Sequence, residues 1–269
     1  MTYGATTDRR PILNYHGIGV PSSERIRQWT VSIDNFVEQL DYLESHGWHG
    51  VSMAQALSDP HPSHVVLTFD DGFSDFSSVV APLLLERNFR ATVYVVAADL
   101  GSAPNWLPDS AGSIVSRHEL RRLRDAGFEV GSHSLTHPQL DLLSIEDARH
   151  EIAESKRLLE EELGERVEGF CYPHGFFNAS VREAVAGAGY SYACAVRHKL
   201  SGPGDDIFAL ARIVINNDTT TAQLDRWIRG FGLRQGGLFV ERALASVFRT
   251  YRRNQLRASG QLATSETRS

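Results

Sequence analysis

The chain has 269 residues, 42% hydrophobic and 22% charged, with a formal net charge of −6. That balance is ordinary for a soluble globular protein, and the negative sign offers no global attraction to nucleic acid or to anionic lipid. The longest apolar runs, such as residues 79–85, are too short to cross a bilayer, and the opening "MTYGATTDRRPILNYHG" has no apolar segment before a cleavage site, so a cytoplasmic enzyme-sized domain is expected.

In chain order, "ILNY" (12–15) reads as a strand ending at His16. A 3.6-residue period of Phe36, Val37, Leu40 and Leu43 predicts a helix over 32–47, stopped by Gly47. Strands follow at 50–52, 65–69 and 92–97, and a helix at 116–126. A strand at 129–131 precedes a helix from Ser144 to Gly164, which opens on a capping box of Ser144 with Asp147. A strand at 169–172, a helix at 180–188 capped by Asn178, and strands at 192–196 and 211–215 complete the pattern. Cys171 and Cys194 sit in strand-like runs and read as small buried hydrophobes. Strands alternating with helices predict a mainly parallel sheet or barrel, with functional groups where strand C-termini meet the following loops. The pattern changes after residue 230. Residues 231–256 read as an amphipathic, Arg-rich helix suited to its own domain, a partner or a membrane surface. Residues 257–269 read as a disordered tail.

Three stretches carry chemistry. In "HVVLTFDDGFSDF" an apolar strand ends on Asp70 and Asp71, and carboxylates are costly beside a core unless paired or bound to a cation. In "EVGSHSLTHPQL", His133 and His137 are four residues apart, and Pro138 makes their turn short or distorted. In "GFCYPHGFFN" a strand runs into Pro173, His174 and Gly175. Each stretch ends a predicted strand, so all three should converge on one face. One carboxylate and two imidazoles form a three-ligand site for zinc or a similar divalent ion. The second carboxylate is then free to act as general base on water activated by the ion.

"LTFDDG", "HSLTH" and "YPHG", in that order, resemble the motifs of the polysaccharide deacetylases, carbohydrate esterases with a NodB-homology domain. The resemblance covers about residues 10–230, leaving 1–10 as an N-terminal extension and 11–230 as the domain. It implies a distorted (β/α) barrel of about seven strands. It also implies removal of N-acetyl groups from N-acetylglucosamine-type sugars or polysaccharides with one divalent metal, zinc first and cobalt or nickel as alternatives. Carried over by position, Asp70 is the base and Asp71, His133 and His137 are the metal ligands. The Tyr172–Pro173–His174 turn lies at the substrate, with a backbone N–H near His174 stabilising the oxyanion.

The chain departs from the pattern twice. Cys171 stands where many members place an Arg that orients the base, and no Leu-x-His follows Asn178 to supply a general acid. "PILNYHGIG" resembles the opening of a subgroup with barrel elements arranged as if circularly permuted, which makes His16 the expected acid. Arg212, in "LARIVIN", is either a surface ion pair or the partner that keeps Asp70 ionised. Trp106, Phe176 and Phe177 are candidate sugar-stacking rings. The competing readings are a hydrolase of the same fold acting on a cyclic imide, formamide or ester, and a catalytically dead glycan-binding barrel.

Overall fold

The computed structural model describes residues 9–233 and Arg252. Ten strands occur among them: β1 (Ile12–Tyr15), β2 (Gly17–Ile18), β3 (Thr30–Val31), β4 (His49–Val51), β5 (His64–Phe69), β6 (Thr92–Val95), β7 (Glu129–Ser132), β8 (Gly169–Cys171), β9 (Tyr192–Cys194) and β10 (Ile213–Val214). The helices are α1 (Ile33–Ser45), α2 (Met53–Ser58), α3 (Ala81–Glu86), α4 (Arg117–Asp125), α5 (Ile145–Leu163), α6 (Ala179–Gly187) and α7 (Thr221–Ile228).

Eight strands form one parallel sheet in the order β10–β1–β5–β6–β7–β8–β9, with β4 beside the first half of β5. Its two ends are drawn together by Leu210, whose N–H donates to Ala193 O and whose carbonyl accepts from Ala195 N, just before β10 joins β1. β2 and β3 form a separate two-stranded strap. The expected distorted barrel is therefore what forms, and β1 sits between β10 and β5, beside the strand that carries the two carboxylates.

Period-two alternation sorts the strand residues into two cores. Val65, Leu67 and Phe69 of β5, with Leu13, Tyr15, Val93 and Phe170, pack outward with the helices. Ile12, Val66, Tyr94, Cys171, Tyr192 and Cys194 fill the barrel interior.

Helix starts follow local chemistry. Ser52, Ser116 and Thr220 each cap a helix in a reciprocal box with Gln55, Glu119 and Gln223, satisfying otherwise orphaned amides. The box expected at Ser144 is only half made. Ser144 accepts from Asp147 N, but the Asp147 carboxylate takes the Ser144 hydroxyl rather than its backbone amide. Asp is one methylene shorter than the Glu that usually closes the motif. α1 forms as expected, except that Gln39 is fully buried where Val37 is not. Gln39 accepts from the Tyr15 hydroxyl (2.9 Å) and donates to Thr219 O (2.9 Å), so the position is polar yet satisfied.

The short α2, α3 and α7 and the two-residue β2 and β3 were not expected, being shorter than a periodicity can mark. Among the described residues no helix is long and apolar enough to cross a membrane. The N-terminal extension up to residue 8, the predicted basic helix from residue 234 on apart from Arg252, and the tail over 257–269 lie outside the described residues.

Candidate active site

The alternation along β5 decides the fate of its two carboxylates. Val66 and Thr68 face the interior, and Asp70 continues that row, its N–H donating to Tyr15 O at 2.9 Å. Asp71 then leaves the strand in the left-handed region, with φ of 72°, followed by Gly72 at 75°. A Cβ on Gly72 would lie 2.9 Å from Val95 Cγ1 and 3.1 Å from Val95 Cα, so only glycine fits this close approach. Gly72→Ala is expected to cost about 2 kcal/mol, roughly 4–8 °C in unfolding midpoint. It should also weaken metal retention, because Asp71 must move with it; thermal unfolding and metal analysis check both.

His133 continues the inward row of β7, while His137 is reached by a tight loop rather than a helical turn. Ser134 and His137 both have φ of 65°, left-handed positions that break any helical path between the two imidazoles, and Pro138 disfavours right-handed helix at His137. The loop is held by Glu151 of α5, which accepts from Leu135 N and Thr136 N (2.9 Å each) and from Thr136 Oγ1 (2.6 Å). His137 N donates to Ser134 Oγ at 3.0 Å. The His133 Nδ1–H donates to Cys171 O at 2.9 Å, which leaves Nε2 to face Asp71. Glu151 was not expected from sequence, because an acidic residue on a charged helix carries no mark of the loop it supports.

Asp71 Oδ1 lies 3.4 Å from both His133 Nε2 and His137 Nε2, and all three residues are buried. Two ligands about 2.0–2.1 Å from one tetrahedral ion stand about 3.4 Å apart, so the group fits a divalent ion of the zinc type. Burial pushes the Asp71 carboxyl up, but its contacts with His133 and His137 hold it well below the ordinary range. Burial lowers His137. Burial also opposes charge on His133, yet Asp71 and Asp70 outweigh it and raise that imidazole. A field that favours a proton there equally favours a divalent cation in its place.

A second set of donors, Asp70 with His133 and Cys171, also lies close together, but its carboxylate is already taken. Arg212, fully buried, donates from Nη1 to Asp70 Oδ1 and from Nη2 to Asp70 Oδ2, each at 2.6 Å. Nη1 also reaches Thr68 Oγ1 (3.1 Å) and Nη2 reaches Cys171 Sγ (3.0 Å). This is a bidentate pair inside the barrel, not a surface one. Burial pushes the Asp70 carboxyl up; the Arg212 charge, aided by His133 and His16, outweighs it and the net shift is downward. Cys171, 3.5 Å from Asp70 Oδ1, fills the space beside the pair as well as the core. The signal for it was its place where the resemblance has an Arg.

His16 ends β1 close enough for its charge to act on both Asp70 and Asp71. Its ring lies 5.6 Å from that of Trp29, and its Nδ1 is buried without a hydrogen-bond partner. The third motif is less extended than expected. Pro173–Gly175 form a 3-10 turn with His174 at φ of 58°, its ring 4.6 Å from that of His137. Tyr172 does not face the site. It belongs to the outward row of β8, its amide donates to Cys194 O, its hydroxyl donates to Phe208 O (2.9 Å), and its ring stacks on Phe177. Pro173 has no N–H to offer, and the Gly175 and Phe176 amides donate to Tyr172 O and Pro173 O. Of the three aromatic candidates, Trp106 adjoins the Asp71–His133–His137 cluster, its ring 4.2 Å from that of His137. Phe177 packs on Tyr172, and the face of Phe176 is covered by Arg252 at 3.6 Å.

The family model for polysaccharide deacetylases matches residues 58–193, just over half of the chain. A poly-beta-1,6-N-acetyl-D-glucosamine N-deacetylase of Staphylococcus aureus is 22% identical over 220 residues, covering 77% of this chain and 74% of that one. A chitin deacetylase of Colletotrichum lindemuthianum is 32% identical over 139 residues, about half of each chain. Among solved structures, the Streptococcus pyogenes deacetylase PplD in complex with acetate superposes with a TM-score of 0.72. It is 24% identical and covers 82% of this chain and 98% of its own, a likeness of fold.

Proposed function

The chain belongs to the polysaccharide deacetylase family, and from that premise we propose that it removes N-acetyl groups from N-acetylglucosamine-containing glycans in a metal-dependent hydrolysis. The observation that carries the reading is the meeting of Asp71, His133 and His137 around one point, next to a second carboxylate that Arg212 holds by both oxygens. The names of the chitin deacetylase and the poly-β-1,6-N-acetyl-D-glucosamine N-deacetylase support the substrate class.

Asp71, His133 and His137 would hold the ion, with zinc assigned first and cobalt or nickel as alternatives. When bound, a divalent ion supplies Lewis acidity, making water acidic enough to lose a proton near neutral pH and polarising the acetamide carbonyl. Asp70 would act as the base, taking a proton from the attacking water as it adds to the acetamide carbonyl carbon. Arg212 keeps Asp70 ionised and fixes its plane. His16, at the same mouth, gives a proton to the departing amine. The His174 amide, on a turn whose next two amides are spent internally, is assigned to the developing oxyanion. Trp106 supplies the wall on which a sugar ring packs.

Acetate release from β-1,4- and β-1,6-linked N-acetylglucosamine oligomers tests the reading. Release should be lost on chelation and regained when zinc, cobalt or nickel is added back. A protein holding one equivalent of metal yet releasing no acetate would have the wrong substrate assigned. Release that persists in metal-free protein would remove the ion from the reaction.

A further inference from the structure

The segment that supplies Asp70 and Asp71 contains a third carboxylate that the proposed reaction does not use. Asp75 Oδ2 accepts from Ile18 N at 2.6 Å, across 57 residues of sequence. Ile18 lies two residues beyond His16, in the strap formed by β2 and β3. On its other side the strap is held by the register Gly17↔Thr30 and Ile18↔Val31 and by Gly19 N donating to Val31 O at 2.7 Å. The approach is close. A Cβ on Gly17 would lie 3.2 Å from Thr30 Oγ1 and 3.4 Å from Asp75 Oδ2. The residue after His16 is therefore clamped between β3 and the loop that follows Asp71.

The His16 side chain has no comparable restraint of its own, since its Nδ1 is buried without a hydrogen-bond partner and its ring rests beside Trp29. Its position is set by the backbone on either side, β1 before it and the Asp75-held amide after it. We propose that Asp75 is a positioning residue for His16, fixing through Ile18 N–H the place from which the imidazole delivers its proton. One stretch, residues 70–75, would then set base, metal ligand and the seat of the acid together. Asp75 is also an expensive group to keep. Its Oδ1 is buried without a partner, and burial pushes the carboxyl up to about 7, so a side chain serving packing alone would be better neutral. The inference rests on the reading of His16 as general acid.

A double-mutant cycle separates the two. Asp75→Ala should lower kcat for acetate release about 30-fold, with KM within about twofold and metal content unchanged, because a shift of about 1 Å in a catalytic group is costly. Asp75→Asn, which keeps an acceptor for Ile18 N–H, should stay within about threefold of the parent. In the His16→Ala background, Asp75→Ala should change kcat by no more than about twofold, since the group it positions is gone. Should Asp75→Ala be insoluble, Asp75→Ser, whose hydroxyl is too short to reach Ile18, carries the same expectation. An undiminished loss in the His16→Ala background, or a loss expressed in KM, would overturn the inference. A His16→Ala variant with unchanged kcat would instead overturn His16 as the acid, and the inference with it.

Discussion

Asp70→Asn is expected to lower kcat for acetate release by about a thousandfold while the protein keeps its full equivalent of metal. The amide is isosteric but has no basicity, so the proton of the attacking water has no acceptor, and general-base catalysis is worth about 10²–10⁴ in rate. Metal content should hold because the ion is assigned to Asp71, His133 and His137, whose ligand atoms the substitution leaves in place. A second effect accompanies the first. Arg212 is fully buried, and with Asn at position 70 it keeps only neutral acceptors, the Asn carbonyl, Thr68 Oγ1, Ala195 O and Cys171 Sγ, while one Nη faces the amide NH2 instead of a carboxylate oxygen. The variant should therefore also unfold at lower temperature. Kinetics on folded enzyme separate the two, because lost base catalysis appears in kcat with KM little changed. Loss of metal together with activity would place Asp70 among the ligands, and near-normal kcat would remove it from the chemistry.

The barrel and its motifs were legible for physical reasons that act locally. An apolar strand that ends on two carboxylates, then a glycine, has few stable solutions, and alternation along β5 sends Asp70 inward while the left-handed pair Asp71–Gly72 turns away. The same parity puts Cys171 inside and Tyr172 outside, a distinction that naming the Tyr172–Pro173–His174 turn as one unit had blurred. What stayed hidden depends on contacts distant in sequence. Arg212 meets Asp70 across 142 residues, Glu151 braces the histidine loop across 15 or 16, and Asp75 reaches Ile18 across 57. No local pattern announces such a partner. Arg212 was named by the need to fill a vacated role, but its place inside the barrel follows only from the closure of β10 onto β1. Short elements such as β2 and β3 escape for another reason: two residues carry no period, yet they form the strap that holds the His16 loop.

Arg212→Met should destabilise the protein by about 3–5 kcal/mol at neutral pH, because removing one partner of a buried ion pair leaves the other charge uncompensated. In a chain of this size that corresponds to a drop of roughly 10 °C or more in unfolding midpoint. The sign of its pH dependence follows from Asp70. In the parent, burial raises the carboxyl, and the Arg212 charge and hydrogen bonds, together with the His133 and His16 charges, more than reverse it, so the folded value lies below the ordinary one. The pair's contribution is then fully present above the unfolded carboxyl's pKa and is lost as pH falls through the folded one. Without Arg212 its charge and hydrogen bonds are gone and only the His133 and His16 charges oppose burial, the largest single effect, so the folded pKa should rise. The cost of ionising Asp70 in the variant thus grows as pH rises through that window, and the gap in midpoint between parent and variant should be narrower near pH 4 and widest near pH 8. The acid limb of kcat/KM should move to higher pH for the same reason, since the base must ionise without its counter-charge. Replacing both residues, Arg212→Met with Asp70→Leu, should recover much of the stability and none of the activity. A gap that is constant across pH, with an unmoved acid limb, would mean that the guanidinium only fills space. The geometry favours the electrostatic role, because both terminal nitrogens of Arg212 donate to the two oxygens of Asp70 at 2.6 Å.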